Sequence, residues 1–149
     1  MTSNATSKFV YVTFIRTTPE KLWSALTSPE MMKQYWFGMH QECDWTAGSS
    51  WRMVFSDGRV ADQGEIVEAE PPKRLVIKWR NEFRPELKAE GAALCTYEIE
   101  PKGDVVKLVI THAIDHTESK FIEAVSGGWP RILSNLKSLL ETGDIIMKD

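Results

Sequence analysis

The sequence predicts an α+β domain in which one long C-terminal helix lies against a curved antiparallel sheet. Between Glu118 and Thr142 the apolar residues recur every three or four positions, as they do along one face of a helix. Gly143 follows, where a helix commonly ends. From 41 to 115, short runs of alternating apolar and polar residues are separated by turn signals, which is typical of antiparallel strands. Because the helix and the sheet each have one apolar face, the two faces are expected to pack together.

The first strand and two short helices come before this sheet. The run Lys8–Arg16 is rich in β-branched and aromatic residues and predicts a strand. Thr18 is a good N-cap, and Pro19 suits the first position of the helix that follows it. The same signal recurs before Pro29, so a second short helix is expected to run to about Trp36.

Six further strands are predicted, which makes a sheet of about six or seven strands. Asp57-Gly58 is a strong hairpin signal, because both central positions of the turn favour positive φ. Pro71-Pro72 ends a strand, and the charged segment 81–90 is interpreted as a loop. The strands are expected at 41–45, 50–55, 60–70, 75–80, 95–99 and 106–112.

The long helix contains the unusual segment Gly127-Gly128-Trp129-Pro130. Pro130 removes a backbone donor and clashes with the carbonyl of Ser126, yet the apolar stripe continues in register. We therefore predict one helix that is kinked near Pro130. The two glycines are interpreted as allowing close packing of the helix on the sheet, rather than as a phosphate-binding turn.

Composition limits the classes of function. The 149 residues are 42% hydrophobic and 26% charged, which suits one domain at 8–149 after a disordered tail at 1–7. The net charge of -3, with both signs interspersed, argues against nucleic acid as a partner. No apolar run approaches the ~20 residues that span a bilayer, and the N-terminus lacks a secretory signal, so we expect a cytoplasmic protein without membrane insertion.

The residues that carry chemistry do not form a catalytic or metal-binding pattern. Cys43 and Cys95 are far apart, and His112 at a strand end is not placed to share a metal with His116. We therefore expect no metal and no cofactor. Asp62 is expected at an exposed edge, because a buried carboxylate is costly, and the alternative is that it faces a cavity. No Gly-x-Ser-x-Gly elbow is present, so we favour binding over catalysis and leave an enzymatic activity open.

Aromatic residues concentrate on the faces that are predicted to point inward. A curved sheet and a single helix do not close flush at both ends, so a cavity between them is expected, and a filled structural core is the alternative. Tyr97 and His112 are the best candidates to orient a ligand. The predicted ligand-binding residues are Trp36, Trp51, Met53, Phe55, Ile66, Trp79, Tyr97, Ile110, His112, Trp129 and Leu133.

Taken in order, several segments resemble one known superfamily. They are Thr18–Thr27, Asp44-Trp45 with Gly48, Gly64–Glu68 before Pro71-Pro72, and Gly127–Pro130 with the leucines that follow. The chain is similar to the START-like, or birch-pollen-allergen-like, helix-grip superfamily (SRPBCC). Within it, the chain resembles bacterial proteins similar to the C-terminal domain of the heat-shock chaperone ATPase activator.

The resemblance implies a helix-grip fold and the binding of a small hydrophobic or aromatic ligand, lipid- or polyketide-like, in an internal cavity. The alternatives are an interaction module like the chaperone activator and, further behind, a cyclase or hydrolase. A homodimer and a chaperone contact both stay open. Because the charges are scattered over the sequence, we predict that the isolated protein does not stimulate a chaperone ATPase.

Overall fold

A computed structural model describes residues 6–148 of the chain. Within that range the elements follow the predicted order, with one additional short helix in the loop expected at 81–90. The strands are β1 (Ser7–Ile15), β2 (His40–Glu42), β3 (Ser50–Val54), β4 (Val60–Glu70), β5 (Arg74–Asn81), β6 (Ala92–Lys102) and β7 (Val105–Ile114). The helices are α1 (Pro19–Thr27), α2 (Pro29–Tyr35), α3 (Pro85–Lys88) and α4 (Lys120–Thr142).

All seven strands form one antiparallel sheet in the order β1-β7-β6-β5-β4-β3-β2. Helix α4 packs across it, and together they bury one continuous apolar core. The predicted α+β fold class is confirmed. None of the helices within residues 6–148 combines the length and the hydropathy that a membrane span requires.

Side-chain caps set the helix boundaries. The hydroxyl of Thr18 accepts a hydrogen bond from the backbone N–H of Lys21, and Ser28 caps α2 in the same way. Ser119 caps α4, so this helix begins two residues after the predicted Glu118. Gly143 ends α4 at φ 85°, as its position in the sequence predicts.

The predicted tail at 1–7 is partly wrong. Residues 1–5 lie outside the described part of the chain, but Ser7 is the first residue of β1. Its hydroxyl donates to the carbonyl of His116 and accepts from the N–H of Ser119, at 2.6 and 3.0 Å. Ser7 therefore belongs to the fold, because it ties the first strand to the start of α4.

The middle of the sheet is strongly distorted. A Cβ placed on Gly64 would lie 1.7 Å from the carbonyl oxygen of Lys78 on the neighbouring strand. The strand register also shifts between Met53 and Val54, and again between Ile66 and Glu68. Such irregularities increase the bend and twist of a sheet locally.

The C-terminal segment is held by one buried amide on α4. Asn135 is fully buried, and its side-chain oxygen accepts from the N–H groups of Ile146 and Met147 at 3.0 and 2.8 Å. Its side-chain nitrogen donates to the carbonyl of Met147 at 2.7 Å. The apolar period of α4 gives no sign of Asn135, because a polar residue on the inner face is not part of that pattern.

The prediction for the two glycines in α4 is wrong. A Cβ on Gly127 or Gly128 would meet no atom within 4 Å outside the helix itself, so neither residue is needed for close packing on the sheet. Gly127 is exposed, whereas Gly128 faces a cleft. The helix continues through Pro130, as the unbroken apolar stripe predicted.

Candidate functional site

A cleft of about 200 Å³ lies between the sheet, α4 and the loop that contains α3. Its polar groups are Asp62, Asn81 and Arg84. The rest of its wall is apolar and strongly aromatic. Those apolar residues are Trp36, Met39, Met53, Trp79, Phe83, Leu87, Phe121, Ala124, Val125, Gly128, Trp129 and Ile132.

Three tryptophans from different elements form one wall of the cleft. The ring centroids of Trp36 and Trp129 are 5.3 Å apart in an edge-to-face arrangement, and those of Trp79 and Trp129 are 6.0 Å apart. Trp36 and Trp79 complete the triangle at 6.3 Å. Aromatic pairs favour these distances and angles, so the wall is a packed unit that leaves part of its surface open to the cleft.

His112 lies in the core behind this wall and contacts Trp79 and Trp129. It is fully buried, and its Nδ1 accepts a hydrogen bond from the indole Nε1–H of Trp129 at 3.1 Å. Burial lowers the pKa of His112 from 6.5 to about 3, so the ring is neutral at ordinary pH. His112 is not part of the cleft lining. It positions Trp129 by fixing the direction of the indole N–H.

Asp62 lies in the cleft, and the prediction of an exposed edge position is wrong. It pairs across the strands with the inward-facing Met53, and only 7% of its surface is exposed. The Nδ2 of Asn81, opposite on β5, donates to Oδ1 of Asp62 at 3.0 Å. Burial raises the pKa of Asp62 from 3.8 to about 7, although hydrogen bonds from Trp79 and Asn81 oppose the rise. This carboxyl can therefore gain or lose a proton near neutral pH.

The loop from Glu82 to Gly91 closes one side of the cleft and is fastened at both ends. At its start, the side-chain oxygen of Asn81 accepts from the backbone N–H of Arg84 at 2.9 Å. At its end, the carboxylate of Glu90 accepts from the N–H of Lys120 at 2.8 Å and from the hydroxyl of Ser119. A carboxylate at the first turn of a helix is favourable. The loop thus holds its side chains over the cleft.

Sequence reasoning missed Asn81 and the loop residues as parts of the site. Asn81 follows Trp79 by two positions, so strand alternation could have placed it on the same inward face. Nothing local to Phe83, Arg84 or Leu87 indicates that their loop folds back over the cleft.

The eleven predicted ligand-binding residues divide into two main groups. Trp36, Met53, Trp79 and Trp129 line the cleft. Six others lie in the packed core at no more than 1% exposure: Trp51, Ile66, Tyr97, Ile110, His112 and Leu133.

Phe55 is separate from both groups. It lies beyond the end of β3, half-buried, and packs edge-to-face on Phe83 at 5.1 Å. Phe55 packs against the core but does not line the cleft, and the register shift after Met53 interrupts the simple alternation of β3.

The chemistry available in the cleft is aromatic contact together with one titratable carboxyl, one amide and one guanidinium. Cys95 is buried in the core, and burial raises the pKa of its thiol well above the usual value. Over residues 6–148, no three His, Cys, Asp or Glu side chains lie close enough together to hold a metal ion.

Comparison with known proteins identifies one family. Residues 16–141 match the family described as activator of Hsp90 ATPase homolog 1-like protein. No protein with a curated description matches the chain.

Solved structures are similar over nearly the whole chain. The Aha1 dimer from Colwellia psychrerythraea has a TM-score of 0.74 at 19% identity, with 92% of this chain and 98% of that chain covered. DynU16, a protein in the dynemicin biosynthetic locus, has a TM-score of 0.74 at 21% identity, with 93% of this chain and 48% of that chain covered. PFC0360w, an HSP90 activator from Plasmodium falciparum, has a TM-score of 0.72 at 23% identity, with 89% of this chain and 95% of that chain covered. At these identities the likeness shows the fold.

Proposed function

The chain belongs to the family of activator of Hsp90 ATPase homolog 1-like proteins, and on that premise we propose that it binds a small apolar or aromatic molecule, lipid- or polyketide-like, in the cleft between α4 and the sheet. The observation that carries the proposal is the tryptophan wall of Trp36, Trp79 and Trp129 beside about 200 Å³ of open space. Protein cores normally pack with few voids larger than a water molecule, so an apolar space of this size is suited to a guest.

The size of the cleft limits what fits inside it. Pockets for drug-sized ligands usually measure ~300–1,000 Å³, and an apolar cavity of ~150 Å³ holds one benzene molecule. The part of the ligand inside this cleft therefore has one or two rings, or an alkyl segment of similar bulk. A larger ligand would extend past Arg84 into solvent.

Two adjacent glycines provide a matched pair of variants to test the site. Gly128 lines the cleft and Gly127 faces solvent, and neither has a neighbour within 4 Å of an added Cβ. Gly128→Leu should fill the cleft without disturbing the packing of α4. Gly127→Leu adds the same side chain to the same helix and leaves the cleft open.

The experiment measures melting temperature and tryptophan emission against a panel of flavonoids, fatty acids and polyketides. We expect at least one compound to stabilise the fold and to quench emission, because three indoles line the site. Gly128→Leu should abolish both effects and Gly127→Leu should keep them. If no compound binds, or if the two glycine variants bind alike, the proposal is wrong.

A second pair of variants tests the tryptophan wall. Trp129→Ala should weaken binding more than Lys78→Ala, because Trp129 lines the cleft and Lys78 points outward on β5. Trp129 is also a core residue that donates to His112, so the comparison applies only to protein that is shown to be folded by circular dichroism.

Contact with a chaperone is the second candidate function. The family match and the likeness to an HSP90 activator favour it. Val10, Val12 and Phe14, each close to half exposed on the edge strand β1, offer an apolar surface. Our expectation is still that the purified protein does not stimulate a chaperone ATPase. Robust stimulation that Val12→Lys removes would make chaperone contact the first candidate.

A homodimer also stays a prediction. The similar Colwellia protein was solved as a dimer. Light scattering on the purified protein tests this directly, since one dimer has twice the mass of the 17.0 kDa chain.

A further inference from the structure

We propose that the cleft selects ligands that carry a positively charged amine on their apolar body, and that the carboxylate of Asp62 binds this amine. The inference rests on the proposed binding function and names the chemical class of ligand. It follows from the position of Asp62, from its incomplete set of partners and from the charges around it.

Asp62 has fewer hydrogen-bond donors around it than an ionised carboxylate can use. A carboxylate offers about four acceptor positions. Asn81 donates to Oδ1 at 3.0 Å, and Trp79 lies close enough to influence the pKa of this carboxyl. Only 7% of the surface of Asp62 is exposed, and this residue forms part of the cleft wall. An ammonium group has three N–H donors, which would supply the missing partners.

The charges near Asp62 also favour a cation. Within residues 6–148 it forms no ion pair, although a buried carboxylate is costly without one. Arg84, at the cleft mouth, pairs instead with Glu86 at 3.1 Å. Glu82, whose charge also acts on Asp62, is itself paired with Arg80 and Lys88. A ligand amine would provide the counter-charge that the fold does not.

The aromatic wall is compatible with such a ligand. Indole faces attract cations when they lie within about 6 Å, and tryptophan is the strongest of the aromatic side chains in this respect. Trp79 is close enough to Asp62 to affect its ionisation, so the amine would lie between a carboxylate and an indole. The apolar body of the ligand would then occupy the space beside Trp36 and Trp129.

A neutral ligand that accepts a hydrogen bond from protonated Asp62 is the opposing possibility. Asn81 donates to Oδ1 of Asp62, and a donor at that position stabilises the ionised form and so favours the amine. The two possibilities differ in the direction of proton exchange. An amine binds carboxylate and releases protons from Asp62 near pH 7, whereas a hydrogen-bond acceptor takes protons up.

The test compares three probes of matched shape: 2-phenylethylamine, 2-phenylethanol and 3-phenylpropionate. We expect the amine to bind at least about tenfold more tightly than the alcohol at pH 8, as one charge-assisted hydrogen bond allows. Its affinity should rise from pH 6 to pH 8, and calorimetry in two buffers should detect proton release. The pKa of Glu82 is lowered and that of His112 is about 3, so neither of these groups accounts for the change.

Asp62→Asn keeps the shape of the side chain and should remove the preference for the amine. Glu65→Gln, on the exposed face of the same strand, makes the same charge change and should leave the preference intact. Equal binding of amine and alcohol, or an amine preference that survives in Asp62→Asn, would overturn this inference while the binding function stands. If neither these probes nor the broad panel binds, the binding function falls as well.

Discussion

Asp62 and His112 both pack against Trp79, and folding moves their pKa values in opposite directions. Burial raises the pKa of Asp62 from 3.8 to about 7 and lowers that of His112 from 6.5 to about 3. Between pH 5 and 6.5 the native state holds a proton on Asp62 that the unfolded state has lost, so this group makes stability fall as pH rises. His112 makes stability rise over the same range, because the unfolded state holds the proton. Each slope approaches about 1.4 kcal/mol per pH unit, and the two should nearly cancel.

Single variants should separate the two slopes. In Asp62→Asn the free energy of unfolding should rise with pH between 5 and 6.5, and in His112→Gln it should fall. Urea denaturation at several pH values measures both, and the exposed control Glu65→Gln should follow the unmodified protein. Slopes of the same sign in the two variants would contradict the burial of one of these groups. Lowered carboxylate pKa values elsewhere, such as that of Glu42, affect stability mainly below this range.

Two glycines should respond oppositely to alanine. Gly64→Ala places a Cβ against the carbonyl of Lys78, where the 1.7 Å distance is impossible without moving the sheet. We expect a loss of roughly 2 kcal/mol or more in the free energy of unfolding. Gly127→Ala adds a methyl group to open space on α4 and should stabilise the helix by about 0.5–1 kcal/mol. Equal melting temperatures for the two variants would show that β4 and β5 do not approach as closely as described.

At the scale of elements, the apolar face of α4 packs on the sheet, and the two share one core. Leu136 is fully buried on its inner face, whereas Ser138, two positions further on, is partly exposed. Leu136→Asp puts an unpaired charge into the core and should cost about 3 kcal/mol or more, which thermal and urea unfolding can measure. Ser138→Asp should cost much less. An unchanged melting temperature for Leu136→Asp would be incompatible with the helix-grip arrangement.

At the scale of the whole molecule, ligand binding in the cleft should stabilise the entire fold. The cleft is built from α4, the sheet and the 82–91 loop, so a bound molecule contacts all three only when they are assembled. At a hundredfold excess over its dissociation constant, a ligand adds about 2.7 kcal/mol. For a chain of this size the melting temperature should then rise by roughly 5–10 °C. A ligand that quenches tryptophan emission without any such rise would be bound outside the native cleft.

The sequence by itself determined the order of elements, the helix caps and most of the core. Thr18 and Ser28 cap their helices through neighbours three residues away, and Gly143 ends α4 by its own left-handed conformation. These effects act over a few residues, and the apolar period of α4 survives even Pro130. The resemblance to the helix-grip superfamily depended on such local segments in order, and the family match over residues 16–141 confirms it together with the fold.

Only the tertiary structure decided which side chains face the cleft. Asp62 is inward because it pairs with Met53 next to a register shift, and that pairing is set by the neighbouring strand. Gly128 opens space that its own sequence context cannot reveal, and Phe83 reaches the cleft only because Asn81 and Glu90 hold its loop at both ends. The alternation of residues along a strand and the spacing of apolar residues along a helix indicate which face of each element is apolar. Whether two apolar faces touch or leave a gap depends on bulges and loops that join residues far apart in the chain.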